Sequence, residues 1–130
     1  MKTLVTIALV AVMGITANAQ NKNAKHNLNV KGNCGQCKDR IEKAAYAVDG
    51  VKVASWNEET QNLSIILNEK KNTVDVVEDA VVAVGHDTNG KKADGKVYTS
   101  LPACCLYDRE GEQKSDAVKE MNHHMGHAGH

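Results

Sequence analysis

Apolar and polar positions alternate at 26–30, and in the stretch 63–67 the residues Leu63, Ile65 and Leu67 share one face. Successive side chains of a strand point to opposite faces, so these patterns predict half-buried strands, and the apolar stretch 51–56 predicts another between them. A polar segment, 57–62, separates the second strand from the third and predicts a hairpin turn.

Apolar residues spaced three or four positions apart predict two helices. The first begins at the second cysteine of the chain and ends at Asp49-Gly50, with an apolar stripe of Cys37, Ile41, Ala44, Ala45 and Val48. The second is capped by Asn72 or Thr73 and ends at Gly85. Its stripe consists of valines at positions 74, 77, 81 and 84. Valine favours strands locally, but the spacing and the caps favour a helix.

These elements follow the order strand, helix, strand, strand, helix, and a short fourth strand around Asp87–Ala93 completes βαββαβ. Right-handed crossovers then place both helices on one face of an antiparallel sheet, which is an α+β fold. A turn or short helix from Asp94 to Pro102 opens an extension, 94–109. Residues 110–130 lack a core-forming pattern and predict a flexible His/Met-rich tail.

The first 19 residues have the pattern of a secretory signal peptide. Lys2 supplies the positive start, 4–15 is the apolar segment, and Ala17-Asn18-Ala19 is a cleavage site of the small-x-small type. The apolar segment is shorter than the roughly 20 residues that a membrane span needs. We therefore expect export to the periplasm or the outside of the cell after cleavage near Ala19, without stable membrane insertion.

Charge argues against a nucleic-acid partner. The chain carries 16 basic and 16 acidic residues, and cleavage removes only Lys2, which leaves 15 basic residues against 16 acidic ones. Neither nucleic acid nor an anionic membrane is attracted strongly by such a balance. Phe is absent and Trp occurs once, so the core must consist mainly of Val, Leu, Ile and Ala, with Trp56 and Tyr98 as packing residues.

The four cysteines form two close pairs, Cys34/Cys37 and Cys104/Cys105. The first pair lies between a strand and a helix, where backbone N–H groups and the helix dipole favour thiolates. Two thiolates at this spacing suit copper(I), whereas zinc requires four ligands. The alternative is a structural disulfide or a plain pair of thiols. Lys38 and Arg40 either lower the thiol pKa or are ordinary solvated charges.

The segment 32–37, with the sequence Gly-Asn-Cys-Gly-Gln-Cys, resembles the heavy-metal-associated domain family. The resemblance covers about His26 to Ala93 and includes Ile41-Glu42-Lys43-Ala44, Asp49-Gly50-Val51 and Val84-Gly85-His86. This family includes copper chaperones, N-terminal domains of metal-transporting ATPases and the periplasmic mercury-binding protein. The resemblance implies a ferredoxin-like domain over 20–93, in which Cys34 and Cys37 bind a metal ion and pass it to a partner.

Two residues depart from the family pattern. Asn33 occupies the position before the first cysteine, where the family usually has Met. His86 replaces a frequent Tyr in a loop that the family topology places beside the cysteine-bearing segment 32–37, which we call the metal loop. The resemblance therefore implies that His86 is a third ligand or adjusts the thiol pKa.

Cys104, Cys105 and the histidine tail lie outside the family pattern. We expect the segment after the fourth strand to run back along the domain, so that Cys104 or Cys105 meets Cys34 or Cys37 as a metal ligand or in a disulfide. The alternative is a separate structural role. The tail contains His123, His124, His127, His130 and two methionines, which are ligands for copper, zinc and nickel. We interpret it as a weak metal-collecting arm rather than a cloning tag.

The sequence thus predicts an exported soft-metal-binding protein, not an enzyme, that scavenges or delivers its ion. Copper(I) is favoured, and zinc and mercury are alternatives. The expected partner is a metal-transporting ATPase, an efflux pump or another thiol-bearing metal carrier. Two other functions remain open, a thiol–disulfide oxidoreductase and a structural zinc module with four cysteines.

Overall fold

Two helices pack beside a three-stranded sheet in the computed structural model of this protein, which describes residues 20–109. The elements follow the order β1–α1–β2–β3–α2, and a short helix, α3, and a 3-10 turn come after them. Their bounds are β1 Ala24–Asn29, α1 Gly35–Tyr46, β2 Val51–Asn57, β3 Asn62–Leu67, α2 Val74–Ala83, α3 Gly95–Thr99 and the 3-10 turn Ala103–Cys105. The predicted α+β class and antiparallel sheet are confirmed.

The sheet has the order β1-β3-β2, and both neighbouring pairs are antiparallel. Ile65 of the central strand lies opposite His26 of β1 and Ala54 of β2. Alternate residues of β3, Leu63, Ile65 and Leu67, are buried, as their spacing predicts. Trp56 is also buried, and its indole N–H donates a 3.0 Å hydrogen bond to the Val30 carbonyl oxygen.

The first helix buries the stripe that its spacing predicts, whereas the second buries Val77 and Val81 and leaves Val74 and Val84 half-buried. Cys37, Ile41, Ala44, Ala45 and Val48 are all buried where α1 packs against β2 and α2. The prediction for the start of this helix is wrong by two residues, because α1 begins at Gly35 and Cys34 occupies its N-cap. Gly50 and Gly85 have φ angles of +96° and +100°, which are easily accessible only to glycine, and they follow the two helices as predicted.

The predicted fourth strand over Asp87–Ala93 does not form. Only an isolated bridge pairs Val30 with Thr88, so the last strand of the βαββαβ pattern is reduced to one residue pair. The backbone turns instead, because the Thr88 N–H donates to the Lys91 carbonyl oxygen at 2.8 Å. The Asp87 carboxylate also accepts a 2.7 Å hydrogen bond from the Ala93 N–H, which takes the place of strand pairing.

Residues 94–109, the extension, pack into the same core as the sheet and helices. The side chain of Asp94 caps α3 by accepting a 2.9 Å hydrogen bond from the Lys96 N–H. The extension contributes five residues to the hydrophobic core, Tyr98, Leu101, Cys105, Leu106 and Tyr107. Its last described residue, Arg109, forms a buried ion pair with Asp87.

The predicted signal peptide, 1–19, and the predicted tail, 110–130, lie outside the described residues. His123, His124, His127 and His130 are therefore not placed. Between positions 20 and 109, no helix is both long enough and apolar enough to cross a membrane.

Candidate metal centre

The first cysteine pair lies at the N-terminus of α1. Cys34 has an extended backbone, with φ −152° and ψ 173°, and its carbonyl oxygen accepts the first hydrogen bond of the helix, from the Lys38 N–H. Cys37 is buried one turn further along, and its Sγ atom accepts a 3.4 Å hydrogen bond from the Asn33 N–H. The loop thus presents Cys34 at the surface and keeps Cys37 in the core.

The extension brings the second cysteine pair to the same place. The Sγ atom of Cys34 lies 3.5 Å from that of Cys37, 3.2 Å from that of Cys104 and 3.6 Å from that of Cys105. Three thiols, those of Cys34, Cys104 and Cys105, lie within 4.8 Å of one another. All four cysteines are free thiols. The structure therefore brings together two cysteine pairs that lie about 70 residues apart in the sequence.

The thiols of this cluster differ in acidity. Burial raises the pKa of Cys34, but hydrogen bonds with the Cys104 thiol and the Cys37 backbone lower it more, to about 7. The pKa of Cys105 is raised, first by burial and then by the neighbouring thiols. The pKa of Cys104 is also raised, chiefly by its hydrogen bond with Cys34. Of the thiols of Cys34, Cys104 and Cys105, that of Cys34 therefore ionises first.

Arg40 contacts the cluster directly. Its Nη1 donates to Cys105 Sγ at 3.3 Å, so a positive charge lies beside the buried thiol. Lys38, the other basic residue considered, lies instead 3.8 Å from the Glu42 carboxylate. Of the two predicted cationic neighbours, only Arg40 has a side-chain hydrogen bond to a cysteine thiol among residues 20–109.

His86 is not part of the group of three clustered thiols. It is fully buried, its Nδ1 lies 2.8 Å from the Lys31 carbonyl oxygen, and its ring stacks on Tyr107 with centroids 5.7 Å apart. Its Nε2 has no hydrogen-bond partner among the described residues. Burial lowers the pKa of His86, and the charge of Arg40 lowers it further, so the ring is neutral at pH 7. The contacts of His86 position the backbone that precedes the metal loop.

Residues that connect the extension to the metal loop are the part of the site that sequence reasoning missed. Asn33 Nδ2 donates a 3.1 Å hydrogen bond to the Leu106 carbonyl oxygen. The Tyr107 hydroxyl donates to the Gly85 carbonyl oxygen and accepts from the Asp87 N–H, each at 2.8 Å. Of these residues, only Asn33 stood out in the sequence, because it departs from the family pattern.

The arrangement suits a soft metal ion. Thiolates prefer copper(I), zinc and related ions, and the helix N-terminus favours their ionised form. Because a third and a fourth sulfur lie beside the first pair, the cluster offers more ligands than the Cys34–Gly35–Gln36–Cys37 loop alone.

Part of this chain is similar to known proteins. No protein-family model matches the chain. The copper chaperone CopZ of Staphylococcus aureus is 38% identical over 61 residues, which are 46% of this chain and 90% of CopZ. A solved CopZ metallochaperone is 35% identical, with a TM-score of 0.49, over 50% of this chain and 98% of that one.

A second solved structure is the copper(I)-loaded N-terminal domain of a potential copper-translocating P-type ATPase from Bacillus subtilis. It is 27% identical, with a TM-score of 0.49, over 51% of this chain and 84% of that one. The identity to CopZ extends over nearly the whole of that chaperone, and it accompanies a CxxC loop at the start of α1. The chain therefore belongs to the heavy-metal-associated domain family.

Proposed function

We propose that this protein is an exported carrier or scavenger of a soft metal ion, with copper(I) as the favoured cargo. The observation that carries the proposal is the thiol pair at the start of α1, in which the Sγ atoms of Cys34 and Cys37 lie 3.5 Å apart. The pKa of Cys34, about 7, makes one thiolate available near neutral pH. The similarity to proteins named as copper chaperones supports copper rather than another soft ion.

Transfer of the ion proceeds by exchange of sulfur ligands. A thiolate of the partner forms a bond to the ion, a bond from the ion to one cysteine of this chain breaks, and the released thiolate takes up a proton from solvent when the pH lies below its pKa. The partner is a metal-transporting ATPase, an efflux pump or another thiol-bearing carrier. No covalent bond of an organic substrate changes, so the protein acts as a carrier and not as an enzyme.

Export places this exchange in the periplasm or outside the cell. The pattern of residues 1–19 supports this location, and the histidines and methionines after residue 120 supply weak ligands that collect metal near the thiols. N-terminal sequencing of the protein recovered from the exported fraction tests it. The expected first residue is Gln20, and an intact Met1 in the cell interior would contradict the proposal.

A structural zinc site is the second candidate, because four thiols lie together at the surface of the core. The two functions differ in what metal removal does. A carrier keeps its fold without metal, whereas a structural zinc site contributes folding free energy and its loss unfolds the domain. Circular dichroism before and after chelation therefore separates them.

Native mass spectrometry of the purified, reduced protein tests the carrier function, with titration by copper(I) and, separately, by zinc. Cys34→Ser/Cys37→Ser is the test variant, and Ser55→Ala, on the exposed side of β2, is the control. We expect tight copper(I) loading that the double variant loses and the control keeps. Failure to retain either metal, together with reduction or oxidation of a disulfide substrate, would show an oxidoreductase instead.

A further inference from the structure

We propose that the extension turns the two-thiolate site of this domain into a three-thiolate site, in which Cys34, Cys104 and Cys105 bind one copper(I) ion. The inference rests on the proposed function and concerns how the same ion is held. Each thiol that binds the ion releases its proton to solvent. The family resemblance covers only Cys34 and Cys37, so the additional ligands are a property of this chain.

The sulfur separations favour three ligands over two. A metal–thiolate bond is about 2.3 Å long, so three sulfurs around one ion lie about 4 Å apart, and two sulfurs on opposite sides of an ion lie about 4.6 Å apart. The separations among Cys34, Cys104 and Cys105 are 3.2, 3.6 and 3.8 Å. Small side-chain movements therefore suffice for trigonal binding, whereas the 3.5 Å pair of Cys34 and Cys37 must open further to bind an ion linearly.

The extension is anchored directly after its cysteine pair. Leu106 is buried, and its carbonyl oxygen is held by the Asn33 side chain. Tyr107 reaches Gly85 and the backbone of Asp87 with its hydroxyl group, and Arg109 makes two hydrogen bonds of 2.8 Å to the Asp87 carboxylate. Because these contacts already order the segment, the free energy of metal binding does not have to offset the conformational entropy lost in ordering it.

The charge of the site also fits a third thiolate. Three thiolates and one copper(I) ion carry a net charge of −2, and a buried charge is costly unless it is paired. The Arg40 guanidinium, 3.3 Å from Cys105 Sγ, supplies one positive charge that offsets half of it. Arg40 is thus a positioning residue for the third ligand and does not bind the ion itself.

Exposure sets the direction from which the ion is exchanged. Cys37 and Cys105 are buried, Cys34 is half-buried and Cys104 is exposed. A partner thiolate therefore reaches the ion from the side of Cys104, and the bond from Cys104 is replaced first. A site of this kind retains copper(I) more tightly than a two-thiolate loop, which suits a scavenger.

X-ray absorption at the copper edge tests the coordination number directly, on the reduced protein loaded with one equivalent of copper(I). We expect three sulfur neighbours in the wild type and in the Ser55→Ala control, and two in Cys104→Ser/Cys105→Ser. Two sulfur neighbours in both the wild type and the double variant would overturn the inference and leave the carrier function intact. Absence of copper uptake by the wild type would contradict both the three-thiolate site and the carrier function.

Competition against a copper(I) chelator gives a second measurement. We expect the copper(I) affinity to fall about tenfold or more in Cys104→Ser/Cys105→Ser, which loses two ligands. We expect a similar fall in Arg40→Gln, because loss of a partner outside the ligand set typically costs about 10–100-fold in metal affinity. Arg40→Lys keeps the charge and should recover part of the affinity. Equal affinities for wild type, Arg40→Gln and the double variant would contradict a third ligand, and circular dichroism verifies that each variant is folded.

Discussion

The side-chain amide of Asn33 and the carbonyl oxygen of Leu106 form a 3.1 Å hydrogen bond between the metal loop and the extension. The residue just before the first cysteine therefore holds the segment that carries Cys104 and Cys105. Where the family usually has Met, this chain has a side chain that can donate this bond. The departure from the family pattern and the presence of the extension thus have one structural explanation.

Replacing Asn33 by Ala should loosen the extension. The lost hydrogen bond is partly buried, so we expect the free energy of unfolding to fall by about 0.5–1.5 kcal/mol. Hydrogen exchange at residues 104–107 should become faster, and urea unfolding measures the stability. Asn89→Ala, in the exposed turn after Thr88, is the control, and equal effects of the two substitutions would contradict a specific role for Asn33.

The ion pair between Asp87 and Arg109 should stabilise the anchored extension. Both side chains are buried, and removal of one partner from a buried pair typically costs about 3–5 kcal/mol because the other charge is left unpaired. We therefore expect Arg109→Gln to lower the free energy of unfolding by this amount in urea at pH 7. Asp49→Asn, at an exposed ion pair with Lys71, should change it by less than about 0.5 kcal/mol.

The ion pair between Asp87 and Arg109 should make the free energy of unfolding depend on pH in the acid range. Burial raises the pKa of Asp87, but the hydrogen bonds from Arg109 and the Ala93 N–H lower it more, so the folded-state pKa lies below the usual value. Its contribution to stability is complete above the unfolded-state pKa of about 3.9 and is lost as the pH falls through the folded-state value. Unfolding of wild type and Asp87→Asn from pH 6 to pH 2 should show a smaller acid dependence in the variant, and parallel curves would contradict it.

The two glycines of the metal loop should respond differently to alanine. A Cβ atom at Gly32 would lie 2.9 Å from Cζ2 of the Trp56 ring, whereas one at Gly35 would meet nothing within 4 Å. We expect Gly32→Ala to cost about 1–3 kcal/mol through overpacking, and Gly35→Ala to be neutral or stabilising at the start of α1. Urea unfolding of both variants provides the comparison, and a larger cost at Gly35 would show that the packing around Trp56 is not as described.

Alkylation should single out Cys34 in the metal-free protein. Only the thiolate reacts, and the pKa of Cys34 is about 7, so its rate should rise with pH and reach half of its maximum near pH 7. Cys104 is more exposed, but its raised pKa should make it slower at neutral pH. Peptide mass mapping after short exposure to iodoacetamide measures both rates, and faster labelling of Cys104 at pH 7 would contradict this order.

The sequence by itself determined the parts of this protein that depend on local periodicity. Three strands, two helices and their buried stripes follow from the spacing of apolar residues, because each element must cover one apolar face. The same local pattern placed Cys34 and Cys37 where the chain passes from β1 into α1, and two glycines with positive φ follow the helices. Several bounds differed by one to three residues, as at the start of α1, since nothing in the spacing shows that Gly35 and Gln36 belong to its first turn.

Only the tertiary structure decided how residues after 86 are arranged. The fourth strand gave way to a turn because the Asp87 carboxylate bonds to Arg109 and to the Ala93 N–H, and no periodic pattern encodes such a pairing. The meeting of Cys34 with Cys104 and Cys105 likewise depends on contacts between residues about 70 positions apart. Such contacts form because the apolar side chains of the extension are buried against the same core as the sheet, and that packing is a property of the folded chain as a whole.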